Sequence, residues 1–318
     1  MESNDLNQEA TSSRRWNWGR IKLFFALSRA PHGLIDMASP ALAALLSLGS
    51  FPSFGVTLLG LFTAFAGYTA VYALNDLIGY RSDREKVKSA DAVPKTSDLD
   101  ALLVRHPLAQ GFLSFKEGFL WTFAWGTVAL LGAWVLNPVC LAIFFAACLL
   151  EILYCLLWRI TPYRAIINGL VKTAGPLAAV FAVNPDPSFI FLALVFLMVF
   201  FWEIGGQNIP NDWTDVEEDR RFQAKTVPIR FGPKKSSHMI LGSLTAAILL
   251  SMLLFAACPA DFVPLFYLII GVLGGILLIW PAMRLSKSLQ DKNAMLLFNL
   301  ASYYPFSLLI VAVVNLVI

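Results

Sequence analysis

Charge is scarce in this chain. Asp, Glu, Lys and Arg make up 14% of 318 residues against 58% hydrophobic residues, a balance outside the soluble globular range and close to that of multi-span membrane proteins. Histidine is scarcer still, with three in all. His106 and His238 are isolated, in a loop and at a helix start, and support neither a Ser/His nor a metal site. Cys140, Cys148, Cys155 and Cys258 lie within or at the ends of apolar runs without metal-ligand spacing, so they read as small core residues rather than disulfides or redox centres. No glycine-rich nucleotide loop occurs, and nothing points to nucleic acid as a partner.

Apolar length is what the chain does have. At about 20 residues per crossing, nine spans are predicted, near 22–48, 54–78, 118–136, 138–157, 166–184, 188–206, 238–257, 262–283 and 295–317. The expected fold class is all-α, a polytopic membrane bundle forming a single domain over 22–318, preceded by a polar segment over 1–21. The first apolar stretch is too long for a signal-peptide core and lacks a convincing cleavage site, so it is read as a retained helix. All 24 basic residues fall at the N-terminus, near the inner end of span 1, or in and beside the loops after spans 2, 4, 6 and 8. The short loops around 49–53, 137, 184–188 and 258–262 have none. By the positive-inside tendency, the N-terminus is expected on the cytoplasmic side of a bacterial-type inner membrane.

Two acidic stretches follow apolar runs at matching positions, four spans apart. The first holds Asn75, Asp76, Gly79 and Asp83; the second holds Asp212, Asp215 and Asp219, with Asn208 one turn earlier. Asp76 and Asp83 are seven apart, and Asp212, Asp215 and Asp219 fall at i, i+3 and i+7, so each set shares a helical face. Carboxylate oxygens so gathered suit Mg2+, which is held by one or two carboxylates and completed by phosphate oxygens, while nearby Arg and Lys neutralise the rest of a diphosphate. The plainer reading is a pair of solvated helix ends. The acidic stretches and their following loops are placed at 75–117 and 203–237, and Val87–Asp100 is either a flap over the site or simple connection.

The run from Asp215 through Asp219, Lys225, Thr226, Val227, Pro228 and Arg230 to Gly232, together with Asn75-Asp76 and Asp83, resembles the UbiA superfamily of intramembrane prenyltransferases. Their motifs are written NDxxDxxxD and DxxxD. Arg105-His106-Pro107 with Gly111, and Tyr154 to Arg159 with Thr161, Asn168 and Gly169, extend the similarity. Two positions depart from it: Gly79 stands where the family has a central Asp, and Asn208 where many members begin the second signature with Asp. The resemblance implies Mg2+-dependent transfer of a prenyl group from an allylic prenyl diphosphate to an aromatic or other lipophilic acceptor, with surrounding membrane lipid as the other partner. It implies Asp76, Asp83, Asp215 and Asp219 as catalytic carboxylates, and Asn75, Asp76, Asp83, Asp212, Asp215 and Asp219 as metal ligands. For the diphosphate, the candidates are Arg84, Lys88, Arg159, Lys172 and Lys225, with Arg105, Arg164 and Arg230 behind them. Tyr154 and Asn168 are further substrate contacts.

Span 1 carries Arg29, His32 and Asp36 at i, i+3 and i+7, a polar stripe expected to face the bundle interior. Either Arg29 and Asp36 contact substrate, or they form an internal ion pair bridged by His32. Glu151 either orients an acceptor hydroxyl or pairs with Arg159. A non-catalytic lipid-binding homologue is the competing reading. A secondary transporter is a more distant one, since transporters place their charges near midplane on broken helices.

Overall fold

In the computed structural model, residues 18–89 and 103–318 are described. The polar segment expected over 1–21 lies almost wholly outside them, as does most of the Val87–Asp100 connection. The described chain is helical, and eight of its helices are long and apolar enough to cross a membrane. The first predicted span, 22–48, is instead three short helices: α1 (Trp18–Leu27), α2 (Ala30–Asp36) and α3 (Ala38–Leu48). The first break comes at Arg29, which adopts left-handed backbone angles (φ 44, ψ 49) just before Pro31. Pro31 supplies no backbone N–H to bond back to Leu27, so the preceding helix does not run on unbroken; apolar length alone predicts one continuous span.

The next three crossings begin with capped helices. Ser53 opens α4 (Phe54–Lys88). Ser114 and Glu117 form a reciprocal capping box at α5 (Phe115–Leu136). Asn137 and Pro138 start α6 (Pro138–Leu156), with Asn137 Oδ1 accepting from the Val139 N–H at 2.9 Å. α7 (Arg164–Val183) completes the wall of the main cavity, and α8 (Phe189–Trp202) packs behind it. At 35 residues, α4 is about 52 Å long. It continues well past its apolar run, so the first acidic motif rides on a rigid helical projection rather than in a loop.

The second half holds the larger hydrophobic core, with Trp202, Leu244, Phe255 and Tyr304 fully buried. After α8 the chain passes through a π-helical turn, Glu203–Asn208, into α9 (Ile209–Thr214) and α10 (Val216–Arg221). Pro210 cannot donate to the carbonyl one helical turn back, and the Ile209 N–H instead reaches Ile204 O, five residues earlier. The turn is pressed into its neighbours: a β-carbon on Gly205 would lie 2.9 Å from Ser243 Cβ, and one on Gly206 2.9 Å from Ala301 Cβ. α11 (Val227–Ala256) is kinked at Gly232 (φ 79) before Pro233, which separates the motif extension from the membrane-crossing part. A second π turn, Gly275–Ile279, links α12 (Pro264–Gly274) to α13 (Trp280–Ser288), and α14 (Asp291–Ser302) and α15 (Tyr304–Val317) close the chain.

Candidate active site

Two cavities adjoin at the end of the bundle that carries both acidic motifs. The smaller, of about 210 Å³, is lined by Asp76, Asp83, Asp212, Asp215 and Asp219 and by Arg29, Lys86, Arg105 and Arg164. The larger, of about 480 Å³, extends from Asn75 along α4 to Val56 and on to Phe51. Nineteen helical residues separate Asn75 from Val56, a depth of about 28 Å. Arg29, Asn75, Tyr154 and Asn211 line both cavities, so the charged chamber opens into the apolar one.

The loop after the first motif ties the charged chamber together. Leu108 and Leu113 bury themselves beside Phe24, Leu27, Ala73 and Leu77, anchoring the segment against α1 and α4. That anchorage puts His106, in left-handed conformation (φ 51), above the first motif. Its Nδ1 lies 3.4 Å from Asp76 Oδ1 and 3.2 Å from Asp83 Oδ2. Asp76, Asp83 and His106 offer ligand atoms within 4.8 Å of one another. The expectation that His106 is isolated and supports no metal site is therefore corrected: distance along the chain says nothing about where a loop returns. Its neighbour Arg105 reaches the other motif, 3.8 Å from Asp215 and 3.9 Å from Glu218.

Lys86, absent from the sequence-derived candidates, joins the two motifs directly. It lies on the helix of the first motif and pairs with Glu218 at 3.2 Å and Asp219 at 3.3 Å, its ammonium over the Trp158 ring. Its signal in the sequence was its place three residues after Asp83, one turn along the same helix. Burial pushes the Asp219 carboxyl up to about 6, with Lys86 pulling in the opposite direction. Asp212 is held by Arg164 at 2.7 Å, both residues buried, and the Arg164 guanidinium stacks on Tyr154. Asp215 marks the break between α9 and α10, with φ −105 and ψ 6, so the three second-motif carboxylates do not lie on one continuous helical face.

The remaining candidates separate by which cavity they line. Arg84 bonds to Tyr80, Arg159 to Glu85, and Lys88 and Lys225 are exposed. These four, and Arg230, stand outside the lining of the charged chamber, where Arg29, Lys86, Arg105 and Arg164 are found instead. Lys172 and Asn168 line the apolar cavity. Lys172 pairs with buried Asp36 at 2.5 Å, so the alternative of an Arg29–Asp36 pair is corrected: the left-handed turn at Arg29 breaks the stripe and sends its guanidinium to within 3.9 Å of Asp76. Glu151 accepts from Asn75 Nδ2 at 2.6 Å rather than pairing with Arg159.

This donor set fits a divalent cation and a diphosphate. Five carboxylates face four permanent cations, leaving a negative excess that a cation of charge two would reverse. His106 Nδ1 is buried without a hydrogen-bond partner among the described residues. A family model for UbiA prenyltransferases matches residues 37–303. The chain belongs to the UbiA prenyltransferase family. It is 26% identical over 274 residues to a digeranylgeranylglyceryl phosphate synthase of Thermococcus sibiricus, covering 86% of this chain and 90% of that one. Its fold matches that of a UbiA homologue from Aeropyrum pernix K1, with a TM-score of 0.70 and 18% identity over 89% of this chain and 98% of that one. It also matches a UbiA homologue from Archaeoglobus fulgidus bound to DMAPP and Mg2+, with a TM-score of 0.65 and 18% identity over 90% and 99% of the two chains. In this UbiA protein the all-helical bundle agrees with the sequence reading, and the matched region begins just after the broken part of the first span.

Proposed function

We propose that this UbiA protein transfers a prenyl group from a prenyl diphosphate, held with Mg2+ in the charged chamber, to an acceptor bound in the adjoining cavity. The observation that carries this reading is the junction of the two cavities at Arg29, Asn75, Tyr154 and Asn211. A diphosphate in the first chamber would have its allylic carbon at that junction and its hydrocarbon tail in the second. The Mg2+-bound homologue from Archaeoglobus fulgidus supports the choice of metal, and the synthase relative supports a lipid acceptor beside the aromatic class. The basic residues around the chamber support its cytoplasmic placement, with the N-terminus on that side.

Asp76, Asp83 and His106 would hold the metal from α4 and its following loop, and Asp215 and Asp219 from the second motif. Bound there, the metal would neutralise charge on the leaving diphosphate. Arg29, Lys86, Arg105 and Arg164 add fixed positive charge around the same oxygens, and because they are already positioned, little reorganisation accompanies departure. Arg164 also orders Asp212, and Lys86 keeps Asp219 beside the first motif. Tyr72 and Tyr154, at the mouth of the apolar cavity, present ring surface to positive charge developing on the allylic carbon. The apolar walls exclude water that would otherwise capture it.

The test is incubation of purified protein with Mg2+, prenyl diphosphates of graded length and a panel of acceptors, following diphosphate release and prenylated product. Asp215→Ala and Asp219→Ala are expected to abolish both. Normal turnover in either variant, or no release by the wild type with any pair, would overturn the reading.

A further inference from the structure

Glu203 is a carboxylate buried at membrane depth, 4% exposed, on a wall of the apolar cavity, and the roles derived above make no use of it. It opens the π turn, a departure from α-helical geometry that occurs frequently at functional positions. Its Oε1 accepts from Asn168 Nδ2 at 2.7 Å. Its Oε2 has no hydrogen-bond partner among the described residues, and Lys172 Nζ is 3.8 Å away. That ammonium is already engaged, 2.5 Å from Asp36 Oδ2 and 3.3 Å from the Tyr72 hydroxyl.

Further along the same π turn, Asn208 repeats the pattern. Its Nδ2 donates to the Tyr154 hydroxyl at 3.3 Å, while its Oδ1 is buried without a partner among the described residues. Two buried oxygens on one cavity wall thus lack donors. Such groups are costly to leave unsatisfied, and in a native structure each requires an explanation. Asn208 Oδ1 can only accept, and so can Glu203 Oε2 in the carboxylate form, so the complementary ligand group is one that donates. A carboxylate or phosphate placed there would meet Glu203 and Asp36, with Lys172 as the nearby counter-charge. An uncharged hydroxyl would meet the acceptors it needs.

We propose that this wall is the acceptor subsite, that it takes an uncharged alcohol or phenol, and that Glu203 is the catalytic base of the transfer. This rests on the prenyltransferase reading and deepens it. The bond between the allylic carbon and the diphosphate oxygen breaks, its electron pair leaving with diphosphate. A lone pair of the acceptor oxygen forms the new bond to that carbon, and the hydroxyl proton passes to Glu203 Oε2. The products are a prenyl ether and diphosphate.

The experiment compares wild type and Glu203→Gln with three matched acceptors: a lipophilic phenol, its O-methyl ether and the corresponding carboxylic acid lacking the hydroxyl. Wild type is expected to prenylate the phenol, and neither of the others, at oxygen. Glu203→Gln keeps the side-chain shape and the Asn168 contact but cannot take the proton. It is expected to lose about 100-fold or more in transfer, while Mg2+-dependent binding of prenyl diphosphate, followed by thermal stabilisation, stays at the wild-type level. Wild-type preference for the acid or the methyl ether overturns the proposal without use of any variant. So does undiminished transfer by Glu203→Gln. A wild type that turns over none of the three and releases no diphosphate with any other acceptor would bring down the prenyltransferase reading as well, whereas activity confined to non-hydroxyl acceptors would remove only this subsite.

Discussion

A β-carbon on Gly79 would lie 3.0 Å from Asp83 Oδ2, the same oxygen that stands 3.2 Å from His106 Nδ1. A histidine from a different segment thus stands beside the carboxylate one helical turn after Gly79. Gly79→Ala should leave the fold intact, because only the end of a flexible carboxylate must move, and should stabilise the α4 projection by up to about 1 kcal/mol. It should nevertheless raise the Mg2+ concentration for half-maximal diphosphate release several-fold by displacing Asp83 from His106. His106→Ala should raise that concentration by about tenfold or more, on the scale seen when groups supporting a metal site are removed. Mg2+ titrations of both variants measure this. An unchanged metal requirement in His106→Ala would remove His106 from the site.

Arg164 and Asp212 make a different kind of contribution. Both are buried and 2.7 Å apart, so Arg164→Met takes away the counter-charge while Asp212 remains in place. Breaking a buried pair from one side costs about 3–5 kcal/mol. The double variant Arg164→Met with Asp212→Asn should recover much of that stability but none of the turnover, because the guanidinium faces the chamber proposed for diphosphate. Denaturation in detergent, run beside the release assay, separates the two effects. A double variant as active as wild type would reduce the pair to a packing element.

The length of the apolar cavity bears on the donor. Gly60 lines it, and a β-carbon there would meet nothing within 4 Å, so a larger side chain can start from this position without a clash at its base. Gly60 is fifteen residues from Asn75, roughly 22 Å along α4. Gly60→Trp should therefore spare donors with one or two isoprene units and lower transfer from long-chain donors by about tenfold or more. The ratio of initial rates for short and long donors is the measurement. Equal losses for both would place the tail along another route, between helices and out into lipid.

Much of this was legible in the sequence because membrane physics makes it so. Backbone polar groups must be satisfied within each crossing, which makes apolar length a direct record of helices, and helical periodicity places Asp76 with Asp83. Three things were not recorded. Lys86 and Glu203 depend on where rigid helices meet, and His106 depends on where Leu108 and Leu113 anchor a loop. Arg84 and Lys88 have the right charge and sit beside the first motif in sequence, but their helical phase turns them away from the chamber, and Arg159, in the turn after α6, pairs with Glu85 instead. Span 1 failed as one continuous helix for a local reason that was readable, Pro31, whose effect is amplified by the left-handed Arg29.

Lys172 and Asp36 offer the clearest separation of structure from chemistry. Neither acidic motif contains them, yet they pair at 2.5 Å deep in the bundle, with the Tyr72 hydroxyl donating to the same Asp36 carboxylate. Lys172→Met should destabilise by about 3–5 kcal/mol, because it leaves Asp36 buried without its ammonium. Adding Asp36→Leu should restore most of that loss, since hydrophobic replacement of a whole buried pair is often neutral or stabilising. A double-mutant cycle on thermal stability reports the coupling. Lys172 also lies 3.8 Å from Glu203 Oε2, so the doubly substituted protein, though stable, should bind the acceptor more weakly and show a higher KM for it, with the KM for prenyl diphosphate unchanged. A rise in both KM values would mean that Lys172 reaches the diphosphate itself, as its place among the original candidates supposed.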